Sequence, residues 1–112
     1  MREKIRDNGR IFHIKKAIAN IEKFLINKEE SDLDNESILF FSIVKNLEII
    51  GEAIYMLSLD FKNSHTQFNW EDYAKLRHVL VHGYYTLNYK IIFEICKQDI
   101  PNLKQYISSL SC

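Results

Sequence analysis

The sequence predicts an all-α protein, a bundle of four or five helices in up-and-down order. Strong helix breakers are few, since 112 residues hold three glycines and one proline. The segments between them repeat apolar residues every three or four positions, the period of a helix with one buried face. A chain of this length suits one core, so we expect residues 1–112 to form a single domain.

The first helix is predicted from about Asn8 to Asn27. Its apolar stripe, in steps of three and four, consists of Ile11, Ile14, Ile18, Ile21 and Leu25. The acidic stretch from Lys28 to Glu36 predicts a loop, because charged and polar residues replace the helical repeat there. Asp34 or Asn35 is the expected cap of the next helix.

The second helix is predicted from about Glu36 to Leu59, and apolar residues cover much more than one stripe of it. Such a helix needs burial on two sides, and a domain this small offers little material to cover both. We therefore expect a homodimer. Gly51 weakens the helix by about 1 kcal/mol relative to alanine, which indicates that another backbone packs closely there.

The third helix is predicted to begin at Trp70, after a polar loop from Lys62 to Asn69. Acidic residues follow the tryptophan and suit the start of a helix. The expected end is Val81 or His82, where Gly83 provides a stop.

The fourth helix is predicted to begin near Asn88, and Pro101 is expected to break or kink it. A final helix then closes the bundle. Its apolar positions are Leu103, Tyr106, Ile107 and Leu110.

Composition excludes several classes of protein. Lys plus Arg and Asp plus Glu each number 15, so the net charge is zero and any contact with RNA must be local. No apolar run approaches the roughly 20 residues that span a bilayer, and the charged start lacks the apolar core of a secretory signal. We expect a cytoplasmic protein without membrane contact. Cys96 and Cys112 are predicted to be free thiols.

The segment from Arg77 to Tyr85 holds an arginine, two histidines and two tyrosines, the densest set of reactive side chains in the chain. Arg77 offers a planar charged fork for phosphate, and His82 can exchange a proton near neutral pH. Together they suit phosphodiester cleavage without metal, which leaves 2′,3′-cyclic phosphate and 5′-hydroxyl ends. On an intact helix they point about 140° apart, so they converge only if the helix ends near His82.

Two other interpretations of this segment stay open. An arginine and a histidine at a helix end often form a salt bridge or cap carbonyl groups. His78 and His82 also stand at the i, i+4 spacing of a metal pair, which would need a third ligand. The candidates for that ligand are Asp72, Glu71, His65 and Cys96. Nothing in the sequence joins them to the pair, so we expect neither a metal nor another cofactor for cleavage.

Residues outside this segment receive no catalytic role. His13 and His65 stand alone, and a lone histidine most often has a surface or structural role. Aromatic residues near the third helix could stack on bases, but a place in the core is the more common use of such residues. The aromatic residues concerned are Phe61, Phe68, Trp70 and Tyr73.

The order Arg77-x4-His82-x-Tyr84 resembles the signature of the HepT-like toxins, a branch of the HEPN superfamily. Residues 45–53, with the sequence KNLEIIGEA, resemble that family's second helix. Trp70 matches the start of its motif helix, and residues 99–103 resemble its ending. The resemblance therefore extends over nearly the whole chain.

The resemblance implies a HEPN-like helical bundle that forms a homodimer, with the two motifs facing a shared cleft. It implies a metal-independent endoribonuclease, with Arg77 and His82 as catalytic residues and RNA, above all tRNA, as substrate. It also implies a partner antitoxin, an MntA-like minimal nucleotidyltransferase that uses ATP to transfer AMP to Tyr84. Added phosphate there would crowd and neutralise the RNA-binding cleft.

This chain departs from the family pattern at two positions. His78 stands where the family often has asparagine, and Asn88 where an acidic residue is common. Both positions are candidates for orienting the catalytic groups or contacting substrate, so these changes predict slower cleavage or a different RNA. Tyr85 is a second possible acceptor of AMP.

Two alternative functions use the same fold. One is a non-catalytic module that binds substrate for, or regulates, a minimal nucleotidyltransferase. The other is a purely structural helical dimer, in which the motif is a salt-bridged helix end. Fold alone does not separate these alternatives, because function depends on the site.

Overall fold

The computed structural model describes residues 2–34, 37–82 and 88–110, with the backbone alone for Glu3, Lys75, Val79, Val81 and His82. The described part of the chain is helical and contains no strand, which confirms the predicted all-α class. The elements in chain order are α1 (Arg2–Phe24), a 3-10 turn (Glu30–Leu33), α2 (Ile38–Met56), α3 (Leu59–Ser64), α4 (Trp70–His82), α5 (Tyr89–Glu94), a π-helical turn (Ile95–Asp99) and α6 (Ile100–Ser108).

Helix α2 is the centre of the bundle. It packs against α1 and against α4, while α6 packs on α1 and α5 contacts α2 and the 3-10 turn. The predicted stripe of α1 is buried, as are the inward residues of α2, and they share one core with the last helices. The 3-10 turn lies in the predicted acidic loop and adds Leu33 to this core. No helix in the described part of the chain is long and apolar enough to cross a membrane.

Helix α1 begins at Arg2, so the prediction of a start near Asn8 was wrong by more than a turn. The reason is a buried polar residue at a core position. Asp7 is only 4% exposed, and its two carboxylate oxygens accept hydrogen bonds from the backbone N–H and the hydroxyl of Ser58, at 2.8 and 2.6 Å. A buried carboxylate needs such hydrogen-bond partners. Because Asp7 is polar but occupies a core position, it interrupts the apolar repeat that would predict the first turns of α1.

The ends of α2 differ from the prediction in two ways. Neither of the predicted capping residues caps it; Ser37 does, since its hydroxyl accepts a hydrogen bond from the backbone N–H of Phe40 at 3.0 Å. At the other end α2 stops at Met56, and Ser58 caps the short helix α3 in the same manner. Serine is among the preferred capping residues because its oxygen satisfies an unpaired N–H of the first turn. The short α3 was not predicted.

Pro101 does not break the last helix. The chain passes from α5 through the π-helical turn into α6, so the wider turn lies just ahead of the proline. A proline lacks the N–H that would bond four residues back, and a π-turn accommodates that loss. The hydroxyl of Tyr73 on α4 donates to the carbonyl of Asp99 in this turn at 2.8 Å. Burial raises the pKa of Tyr73 to about 12 and keeps its phenol protonated.

The aromatic residues near α4 form a packed cluster, as predicted for core residues. Phe68 stacks on Tyr73 and Tyr106, with ring centroids 4.9 and 4.7 Å apart. Trp70 is buried, and its indole N–H donates to the carbonyl of His65. These rings therefore pack against one another and fix the position of the start of α4.

The predicted close approach at Gly51 is confirmed, and the neighbour is Arg77. A Cβ atom added to Gly51 would lie 3.0 Å from the Cβ and 3.1 Å from the Cα of Arg77. Both Gly51 and the contacted atoms belong to helical segments, so the crossing of α2 and α4 has little room to adjust. The glycine thus sets the distance between the helix that carries Arg77 and the centre of the bundle.

Replacing Gly51 by alanine should destabilise the protein. Overpacking against a backbone usually costs about 1–3 kcal/mol, and the better helix propensity of alanine returns about 1 kcal/mol of this. We expect a net loss of about 1 kcal/mol in the free energy of unfolding, measured by urea denaturation. Gly9→Ala is the matched control. Gly9 is exposed on α1 and no atom lies within 4 Å of an added Cβ, so this change should raise the free energy of unfolding. A gain of stability in Gly51→Ala would contradict the proposed crossing.

Candidate functional site

Arg77 lies on α4 with its guanidinium held against the outer side of α2. Its Nε donates to a carboxylate oxygen of Glu52 at 2.6 Å, and the guanidinium carbon lies 4.2 Å from the centre of the Tyr55 ring. The hydrogen bond to Glu52 raises the pKa of Arg77, which stays charged at any physiological pH. The side chain of Arg77 is 30% exposed, so its fork is oriented by protein and still reached by solvent.

Arg77 lines a groove of about 660 Å³ that also includes residues of α1 and α2. Its basic or ionisable wall residues besides Arg77 are Arg10, His13 and Lys45, and its acidic ones are Glu48 and Glu52. The apolar part of the lining consists of Ile49, Ala53, Met56 and Leu80. A chain with zero net charge thus gathers positive groups around the arginine, and an apolar floor with charged walls suits a ligand that has both apolar and anionic parts.

The other residues of the predicted site are described to different degrees. His82 is the last described residue of α4, and its side chain lies outside the described part, so the predicted end of the helix there stays a prediction. Tyr84 and Tyr85 lie outside the described residues, as does Gly83. Their predicted roles stay predictions.

The two positions where the chain departs from the family pattern are described. His78 is exposed on α4, about 100° around the helix from Arg77. Asn88 caps α5, where its side-chain oxygen accepts a hydrogen bond from the backbone N–H of Lys90 at 2.7 Å. The side chain of Asn88 therefore has a structural use as a helix cap.

Two of the four candidates for a third metal ligand, His65 and Cys96, are poorly suited to that role. His65 stacks on Phe61, and its Nδ1 lies 2.8 Å from the carbonyl oxygen of that residue. Cys96 is buried, and burial raises the pKa of its thiol to about 12, which disfavours the thiolate that metals bind. Among the described side chains, no group of three His, Cys, Asp or Glu residues could hold a metal ion.

Sequence reasoning missed several residues of the groove. His13 was given no role, yet it lines the same groove as Arg77, and Arg10 lies one turn before it on α1. Glu52 and Tyr55 were missed as partners of Arg77, although Glu52 directly follows the glycine for which a close neighbour was predicted. Their contacts cross from one helix to another, so no spacing along the chain reveals them.

The sequence profile of the ribonuclease HepT-like family matches residues 14–110, and this range contains Arg77 and His82. The chain belongs to this family. The match confirms the resemblance that the motif and the second helix indicated, and it spans every helix from the middle of α1 onward.

Several curated proteins resemble this HepT-like chain. "Probable ribonuclease HepT" of Thermococcus cleftensis is 34% identical over 91 residues, which are 81% of this chain and 83% of that protein. "Putative RNase TTE0752" of Caldanaerobacter subterraneus subsp. tengcongensis is 33% identical over 92 residues, 79% of this chain and 82% of that protein. No solved structure matches the chain.

A longer relative is "Gamma-glutamylcyclotransferase and putative RNase MJ0434" of Methanocaldococcus jannaschii. It is 33% identical over 95 residues, which are 85% of this chain. The HepT-like chain spans only 43% of that protein's length. The likeness therefore concerns one portion of the longer protein.

Proposed function

We propose that this HepT-like protein is a metal-independent endoribonuclease of the cytoplasm that cuts RNA, above all tRNA, and leaves 2′,3′-cyclic phosphate ends. The observation that supports this most strongly is the setting of Arg77. Its guanidinium is fixed by Glu52 and Tyr55 while it lines an open groove with further positive groups. A preoriented arginine in such a groove suits the recognition of a phosphodiester.

The reaction needs only groups that this chain and the RNA provide. The 2′-oxygen attacks the adjacent phosphorus, the bond from phosphorus to the 5′-oxygen breaks, and a proton passes from the 2′-hydroxyl to the departing oxygen. His82 is our candidate for moving that proton, because histidine exchanges protons near neutral pH. Arg77 is our candidate for stabilising the charge that accumulates on the phosphate oxygens in the transition state.

The ion pair between Arg77 and Glu52 also bears on the alternative of a purely structural dimer, which predicted a salt bridge at this place. A salt bridge that only joined α2 and α4 would need neither the groove nor the positive side chains of α1 that line it with Arg77. Exposed pairs also contribute little to stability, which makes a structural purpose for this one a weak explanation. The binding-module alternative uses the same groove and differs from our proposal only in the absence of cleavage.

We place the protein as the toxin of a toxin–antitoxin pair with an MntA-like nucleotidyltransferase. In this proposal the antitoxin uses ATP to transfer AMP to Tyr84, two residues beyond His82. The added phosphate would bring negative charge close to the groove that Arg77 lines and would repel the backbone of RNA. Family membership supports this partner.

Exposed apolar residues on α2 support the proposed homodimer. They lie within about 100° of one another around the helix, on the side away from the core. They are Ile38 (86% exposed) and Phe41 (46%) at one end of α2, and Tyr55 (54%) and Met56 (46%) at the other. An isologous pairing with antiparallel α2 helices would bring each apolar end onto the opposite end of the partner. The charged middle of α2, which lines the groove, would then border a cleft between the two copies.

Cleavage of total tRNA by the metal-stripped protein tests the proposed chemistry. We expect wild type to yield cyclic-phosphate ends, and Arg77→Ala or His82→Ala to reduce the rate by roughly 100-fold or more, the usual effect of losing a charge-stabilising or proton-transferring group. End groups are identified by enzymatic labelling, and mass spectrometry must show Tyr84 unmodified. An unmodified wild-type protein that cuts no RNA would favour the binding module.

Glu52→Gln tests whether Glu52 positions Arg77. The variant keeps a hydrogen-bond acceptor but loses the charge that holds the guanidinium and that repels substrate phosphate. We expect kcat to fall about tenfold, since small misplacements of a catalytic group are costly, while KM does not rise. Glu22→Gln is the matched control, because Glu22 forms an exposed pair of similar length, 2.7 Å, with Lys104 outside the groove. Equal kinetics for the two variants would refute this role of Glu52.

Phe41→Glu tests the homodimer. A charge in the apolar end of α2 should convert the dimer to a monomer, as measured by light scattering coupled to size-exclusion chromatography. Ile26→Glu is the control, since Ile26 is 63% exposed in the turn after α1 and lies outside the proposed interface. A wild-type monomer, or a Phe41→Glu variant that stays dimeric, would disprove the interface.

A further inference from the structure

Helix α1 carries a stripe of four positive or ionisable side chains. Arg2, Arg6, Arg10 and His13 are spaced by four, four and three residues, which places them within about 80° of one another around the helix. The stripe is about 16 Å long at 1.5 Å per residue. Arg2, Arg6 and His13 are exposed and Arg10 is partly so. The start of the chain is basic in the sequence, and the helix brings these residues of it onto one side.

The stripe runs into the groove that holds Arg77. Its last two members, Arg10 and His13, line that groove, while Arg2 and Arg6 extend the same face beyond it. The buried isoleucines of α1 occupy a different side of the helix. The groove and the stripe therefore form one continuous surface from the start of α1 to Arg77 on α4.

The charges of the groove favour one arrangement of a bound strand. On α2 the groove is lined by Glu48 and Glu52 and by one cation, Lys45, so that wall has a net negative charge and phosphates are favoured along α1 and at Arg77 instead. The partly exposed Ile49, in the middle of the groove and outside the proposed dimer contacts, offers an apolar surface for the face of a base. Only a strand with unpaired bases can present bases and backbone to these two surfaces at once.

We propose that the α1 stripe is a track for the backbone of single-stranded RNA and leads the strand to Arg77. This inference rests on the proposed ribonuclease function and names the form of its substrate. The stripe holds several consecutive phosphates, and the scissile one lies at Arg77. Binding should therefore depend on salt and on the members of the stripe more than on the sequence of the RNA.

Fluorescence anisotropy with a labelled 2′-O-methyl oligonucleotide of about 12 nucleotides, a common length for a binding site on single strands, tests the track. This probe lacks the 2′-hydroxyl, so the proposed reaction cannot cut it. The test variant is Arg6→Gln with Arg10→Gln. Its control is Lys4→Gln with Lys15→Gln, which removes the same charge from exposed positions on the other side of α1. Circular dichroism melting verifies the fold of both.

We expect the test variant to bind about fivefold more weakly or worse at low salt, and the slope of log Kd against log salt to decrease by about 1.4, or 0.7 for each lost phosphate contact. The control should bind like wild type. Equal weakening in both variants, or in neither, would overturn the track. Tighter binding of a duplex of the same length would overturn the assignment to single strands.

Cleavage assays separate this inference from the proposed function. If wild type cuts RNA and the test variant binds and cuts equally well, the track is wrong and the ribonuclease proposal stands. If binding depends on the stripe but wild type cuts no RNA, the track is supported and the protein is a binding module.

Discussion

The close crossing of α2 and α4 at Gly51 is the constraint on which the candidate site depends. Because Gly51 has no side chain, α4 approaches until the backbone and Cβ of Arg77 touch α2. That approach sets the guanidinium beside Glu52 and over Tyr55, both within a turn or so of the glycine. A larger residue would move Arg77 away from these partners. Helix packing and the orientation of the arginine are therefore consequences of one contact.

The remainder of the bundle holds α2 and α4 in place. Asp7 ties the start of α1 to the end of α2 through Ser58, and the aromatic cluster fixes the start of α4. Tyr73 links α4 to the π-helical turn that precedes the proline of the last helix. The hydrogen bonds of Asp7 and Tyr73 are part-buried contacts at helix ends and junctions. Together with the aromatic packing they select one arrangement from those that aliphatic packing alone would allow.

Much of the fold could be predicted from the sequence, because helical periodicity records which side of each helix is buried. The stripe of α1, the start of α4 at Trp70 and the close neighbour of Gly51 were all predicted, and α2 was predicted to need burial on two sides. The start of α1 could not be, since Asp7 occupies a core position without being apolar. The helix after Asn88 was predicted to break or kink at Pro101, and the chain passes through a π-helical turn into α6 without a break.

The site was predictable only where its residues are close along the chain. Arg77 and His82 stand five residues apart and form a visible motif, whereas Glu52, Tyr55, Arg10 and His13 reach Arg77 or its groove from other helices. The sequence shows the chemistry of each side chain, but the partners of that side chain depend on the packing of α1, α2 and α4. The charge of the groove depends most clearly on this packing, because the whole chain is neutral while positive side chains come together beside Arg77.

The most direct test of this account is a crystal structure of the protein with a bound 2′-O-methyl dinucleotide, which the proposed reaction cannot cleave. We expect the phosphate to lie on the guanidinium of Arg77 in the groove, with Glu52 still bound to Nε and the imidazole of His82 next to the 2′- or 5′-oxygen. A phosphate bound at another surface, with Arg77 engaged by Glu52 alone, would contradict it.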